Sequence, residues 1–275
     1  MKHILLTLFI CLIAMPAFAG PAYDRLERTN TLRCGFQYWD GGITRNEETG
    51  AFQGLIVDLT NELANTGGFE VEWVGPIDWG QVKAELASGK IDAMCAGMWQ
   101  AGQKARYMIF SEPFVYQGAE AFVRPDETRF GKNFENINDP SVTVAVVDGD
   151  NDQFIANAQF PKAKQFSLPL GAADTDKLQT LTHKKADVVF TSPGLAYQFD
   201  QANPNKIKPL SKGNPLRVFG NTYVVNSGEF QLMHYIETLL AELENAGYVD
   251  RLVEQYNENY PLMFIKKAKP YEVSQ

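Results

Sequence analysis

Residues 77–97 read "IDWGQVKAELASGKIDAMCAG", a helix pattern that runs straight into a strand pattern. Asp78 stands where a helix N-cap belongs, with Gln81 three residues later as its reciprocal partner. Val82 and Leu86 then share one helical face, and Gly89 ends the segment. The apolar run 91–97 that follows reads as a strand. Helix-then-strand units of this kind build parallel sheets covered by helices.

The flanking segments repeat the alternation. Upstream, "TLRCGF" is a strand, "GLIVDLTNELANTGG" sets Ile56, Leu59 and Leu63 at helical spacing before paired glycines, and "VEWV" is another strand. From about Glu120 the texture changes. "AEAFVRPDETRF" is extended, and a fresh set follows: strand "VTVAVV", a helix over 152–158, a helical stretch at "DKLQTLTHKK" and strand "ADVVF". "PLRVFGNTYVV" is extended again. A long amphipathic helix then places Leu232, Ile236, Leu239 and Leu243 on one stripe before Gly247. Two α/β units joined by two extended crossings predict a two-lobed protein with a binding cleft between the lobes. The expected division is 20–122 for the first part of lobe 1, 123–217 for lobe 2, 218–265 for the return to lobe 1, and 266–275 for a loose tail.

Residues 1–19 carry Lys2, the apolar run "ILLTLFICLIAM" and "AFA" before Gly20, the pattern of a secretory leader cleaved near Ala19. Export to the periplasm is expected. Without Lys2 the chain has 24 basic and 33 acidic residues, a net charge of −9, which argues against nucleic acid and anionic membranes as partners. Cys34 and Cys95 remain after cleavage. They are read as two buried thiols, because disulfides between adjacent parallel strands are uncommon, while export leaves a disulfide open. No cluster at metal-ligand spacing surrounds His183 or His234, and neither metal nor cofactor is expected. "DGDND" at 148–152 lacks the glycine and distal Glu of a calcium loop and reads as a helix-capping turn. Asp58 and Asp92 read as helix caps or tethers, and "HKK" at 183–185 as an exposed turn.

The order and spacing of "TLRCGF", "GLIVDLTNELA", "IDWGQVKAELASGKIDAMCAGM", "IFSEPF", "VAVVDGDN", "DVVFTSP" and "AELENAGYVDRLVEQY" resemble the periplasmic solute-binding proteins of the amino-acid type, family 3, which serve ABC transporters. The resemblance implies an α/β, two-lobed fold of type II. Each lobe would be a mostly parallel sheet flanked by helices, with two hinge strands. It also implies a monomer that binds a small molecule and hands it to a permease in the inner membrane.

Carried onto this chain, the family's small hydroxyl residue and carboxylate-gripping Arg fall on Trp99 and Lys104. Lysine neutralises a carboxylate but lacks the planar fork that orients it. The family's Gly-Thr-Thr turn falls on Gly149, Asp150 and Asn151, and its amine-accepting Asp on Thr191. Asp150 is the candidate to take over the amine. Trp79 matches a ligand-stacking position, and Tyr38, Trp39 and Gly97 fall in ligand-lining regions. Aromatic rings beside an acidic residue suit a ligand carrying positive charge. Two other functions are weighed: an enzyme like cyclohexadienyl dehydratase on the same fold, and an accessory protein to a periplasmic dehydrogenase that no longer binds solute.

Overall fold

The computed structural model describes residues 20–131 and 134–268, so the leader and most of the expected tail lie outside the described residues. The chain opens with α1 (Pro21–Thr29), β1 (Thr31–Gly35), a short hairpin of β2 (Thr44–Arg45) and β3 (Phe52–Gln53), α2 (Leu55–Gly67), β4 (Glu70–Val74), α3 (Val82–Ala87), β5 (Ala93–Trp99) and β6 (Met108–Phe110). The long strand β7 (Val115–Val123) leads into β8 (Thr143–Val147), α4 (Asn151–Gln159), β9 (Lys164–Leu168), α5 (Asp174–Thr182), β10 (Val188–Thr191), α6 (Pro193–Ala202) and β11 (Lys208–Pro209). The second long strand, β12 (Arg217–Asn226), returns the chain to α7 (Phe230–Asn245) and α8 (Tyr248–Asn259).

The strands run in the order β4-β1-β5-β12-β7-β10-β8-β9. β1 is parallel to β4 and β5, and β8 is parallel to β9 and β10, as helix crossovers require. Pairing becomes antiparallel where β7 and β12 cross between the halves. The hydrophobic core divides at the same place. One cluster draws on residues 26–115 and 223–264, and two others draw only on 119–219. The four leucine-stripe residues of α7 are all buried, each contributing roughly 1.5–3 kcal/mol.

Side chains expected to tether elements do so. The Tyr256 hydroxyl donates to Asp58 at 2.7 Å, joining α8 to α2. Asp92 accepts from the Arg33 amide at 2.8 Å and its guanidinium at 3.0 Å, and pairs with Arg25 of α1. His183, Lys184 and Lys185 form an exposed turn.

Two expectations need correction. Cys34 and Cys95 are joined in a disulfide, not two thiols. The register aligns Cys34 with Ala93, so Cys95 lies two residues on, facing the same side, with a Cα–Cα distance of 5.3 Å. That diagonal spacing suits a bridge, and register is what the sequence does not display. Asp78 does not cap α3. Trp79 and Gly80 form a turn first, so Gln81 is the cap residue, while the Asp78 carbonyl accepts from the Gln81 amide at 2.8 Å and its side chain accepts from Gln37 at 3.3 Å. Ile265, the last residue of the expected lobe 1 return, bridges Tyr116 of β7 through two backbone hydrogen bonds, and the first two tail residues, Lys266 and Lys267, pair with Glu254 and Glu244. Residues 269–275 lie outside the described residues. α1, the β2–β3 hairpin and α6 were not anticipated.

Candidate functional site

Strand ends and helix starts from both halves meet at one cleft. Its inner chamber, about 120 Å³, opens into an outer vestibule of about 520 Å³ that shares Trp39, Trp79, Lys104, Asp150 and Asp174 with it. Of the nine residues singled out from the sequence, Trp39, Trp79, Gly97, Trp99, Lys104, Asp150, Asn151 and Thr191 line the inner chamber, and Tyr38 lines the vestibule.

The first half supplies the rings. The Trp39 indole N–H donates to the Ala96 carbonyl at 2.9 Å, which fixes the ring beside Gly97. Gly97 has φ 69°, and a β-carbon there would crowd Ile56 at 3.0 Å and Asn221 at 3.2 Å, so only glycine lets the strand end reach the chamber in this conformation. Trp99 stacks on Phe219 of β12 with ring centroids 4.3 Å apart and donates its N–H to Gln117 of β7 at 2.8 Å. It is therefore both packed and cavity-lining, and it lies along the wall without plugging the chamber. Trp79 is half-buried, whereas Tyr38 is exposed and packs edge-on against Phe36.

Lys104 sits in a 3-10 turn, Lys104–Arg106, at the chamber's rim. Its ammonium has no carboxylate within 4 Å among the described residues. Burial lowers its pKa, and the charge of Asp150 across the cleft opposes that shift.

The second half presents three helix starts. Asp150 caps α4, its carboxylate accepting from the Asn151 amide at 2.7 Å, as expected of a capping turn. Ser192 caps α6 by accepting from the Leu195 amide at 3.3 Å. At the start of α5, Asp174 accepts from the Thr191 hydroxyl at 3.3 Å. Asp174 thus stands beside the position where the family resemblance leads one to look for an acidic residue.

Sequence reasoning missed a buried ion cluster here. Lys177 is 4% exposed, and its ammonium lies 2.7 Å from Asp152 and 2.7 Å from Asp174. Burial alone would lower the Lys177 pKa, but Asp174, Asp152 and Asp150 outweigh it and raise the value, so the ammonium stays charged. Burial pushes the Asp152 carboxyl up, while Lys177 and the Val147 amide act against that. The chamber wall thus holds two ammonium groups and three carboxylates. In "DTDKL" the i,i+3 pair Asp174 and Lys177 looks like any solvated helix start. Gln117 was more legible, as a polar residue alternating with Ala119 and Ala121 on one face of a strand.

The halves also touch at the mouth. Leu170, from the loop before α5, covers Gly80, where a β-carbon would lie 3.1 Å from the leucine Cγ.

The family described as bacterial extracellular solute-binding proteins, family 3, matches residues 34–259. The chain belongs to that family. Among relatives of this family 3 protein, cyclohexadienyl dehydratase of Pseudomonas aeruginosa is 23% identical over 235 residues, 86% of this chain and 85% of that protein. A probable amino-acid ABC transporter-binding protein of Haemophilus influenzae is 26% identical over 141 residues, 50% of this chain and 54% of that one. The crystal structure of an ancestral amino-acid-binding protein, described as a precursor of cyclohexadienyl dehydratase, superposes with a TM-score of 0.72 at 24% identity, covering 85% of this chain and 97% of that one. The type II two-lobed fold is thereby established, and membership implies a small-molecule ligand and a place outside the cytoplasm.

Proposed function

We propose that this family 3 protein is the periplasmic binding component of an ABC importer, monomeric and without catalytic activity. It closes its two lobes, divided near 122/123 and 217/218, over an amino acid or a related polar solute carrying positive charge. The observation that carries this reading is the asymmetry of the chamber: Lys104, an ammonium without a carboxylate partner among the described residues, faces an acidic wall between tryptophans. An anionic group of the ligand would pair with Lys104. A cationic group would lie between Asp150 and the outer part of Asp174, with Trp79 and Trp99 against its apolar portion. Closure removes water, so a ligand lacking either group leaves a buried charge unpaired.

A thermal-shift panel of amino acids, betaines, polyamines and organic acids on the mature protein tests the reading. A shift with a cationic or zwitterionic member supports it, and no shift with any member contradicts it. The likeness to cyclohexadienyl dehydratase over most of the chain favours one second reading, in which Lys104 and an acid of the opposite wall act as acid and base. Steady loss of a cyclohexadienyl acid on incubation would replace the first reading with this one. The third function weighed, an accessory protein without solute binding, has less support, because Trp99 leaves the chamber open.

A further inference from the structure

Glu229, which precedes α7, is only 3% exposed, and its carboxylate serves a different helix. It accepts from the amides of Ala22 at 3.0 Å and Tyr23 at 3.3 Å, in the first turn of α1. α1 has no side-chain cap of its own. Gly20, the residue before α1, has φ 93° and lies directly against the same carboxylate: a β-carbon on it would stand 2.7 Å from the glutamate Cδ and 3.1 Å from Oε1. The positive φ favours glycine at residue 20, and the space a β-carbon would take is filled by the Glu229 carboxylate, which sets that buried acid beside the residue whose nitrogen leader removal would free. Two amides leave a carboxylate with acceptor capacity to spare. Gly20 is also the residue that follows the small-x-small pattern ending at Ala19.

We propose that the mature chain begins at Gly20 and that its new α-ammonium seats on Glu229, so that leader removal itself completes the docking of α1. Hydrolysis of the Ala19–Gly20 amide by an export-linked endopeptidase consumes one water. It leaves a carboxylate on Ala19 and an amine on Gly20, the proton from the acid going to the amine. Before cleavage the Gly20 nitrogen is a neutral amide and brings Glu229 no counter-charge. Afterwards it is a cation at a helix N-terminus, a placement the helix dipole opposes unless an anion sits beside it. α1 in turn holds Arg25 on Asp92, the residue before β5, whose far end carries Gly97 and Trp99 into the cleft.

The proposal rests on export and not on solute identity. Intact mass and N-terminal sequencing of the exported protein should give Gly20 as the first residue. Melting is then compared for the mature protein, Glu229→Gln, a form that keeps residues 18 and 19, and the combination. Each single change should lower Tm by about 2–4 °C, and the combination should melt no lower than the worse single change. As a second readout at neutral pH, acetic anhydride should modify the Gly20 amine several-fold more slowly in the wild type than in Glu229→Gln. A mature start elsewhere, additive Tm losses, or equal acetylation rates would overturn the proposal. Solute-induced shifts measured on the same samples report separately on the function proposed above.

Discussion

Lys104 and Lys177 line the same chamber from opposite halves, and they differ in every respect that matters. Lys104 is half-buried and has no ion-pair partner among the described residues, whereas Lys177 is buried and sits 2.7 Å from each of two carboxylates. A buried charge with its partners in place is committed to the fold. A partly desolvated charge without one is available to a guest. One half of the cleft is finished before any ligand arrives, and the other is left incomplete.

Removing each lysine in turn separates the two roles most sharply. Lys177→Met should cost about 3–5 kcal/mol in urea denaturation, because Asp152 is left buried without its counter-ion and must either hold an unpaired charge or take up a proton. Lys104→Met should stay within about 0.5 kcal/mol of wild type, since no described residue forms an ion pair with it and Asp150 acts on it only across the cleft. Equal losses would mean that both are structural. Next in size is the disulfide, which belongs to the first core alone and closes a long loop. Cys34→Ser together with Cys95→Ser should lower stability by about 2–4 kcal/mol without changing which solutes bind.

For binding the ranking inverts. Lys104→Met should weaken a carboxylate-bearing ligand by roughly 10- to 100-fold in calorimetry, the cost of one charge-assisted hydrogen bond. The smallest effect is on pH. Because burial lowers the Lys104 pKa, its charged form is disfavoured in the fold. Its contribution to apo stability should therefore rise with pH through the window just below the ordinary lysine value of 10.5 and flatten above it. Lys177, with its pKa raised, contributes stability that is whole below 10.5 and is lost only as pH climbs through its higher folded value. Stability of wild type minus Lys104→Met, followed from pH 8 to 11, isolates the first trend. A falling difference would contradict it.

How much of this the sequence displays depends on the kind of signal. Periodicity exposed the α/β alternation, the α7 stripe and the two crossings, because burial imposes a repeat on neighbouring residues. Spacing against a known pattern located Trp79, Trp99, Lys104, Asp150 and Thr191, and the structure brings them to one chamber. Pairings between distant segments stayed hidden. The Cys34–Cys95 bridge depends on strand register, and the contact between Lys177 and Asp152 spans 25 positions with no local mark. Asp78 misled because a good capping box ignores the turn that Trp79 and Gly80 make first. Local chemistry shows in a sequence, while the meeting of remote side chains requires the fold.

On the proposed function, the half-finished wall of the cleft receives a small charged solute. Native mass spectrometry of freshly purified mature protein tests it most directly, with Trp79→Ala/Lys104→Ala as the control. The expected result is a species heavier than the chain by one small solute, released on unfolding and absent from the double variant. Bare mass in both proteins, after incubation with the full solute panel, would contradict it.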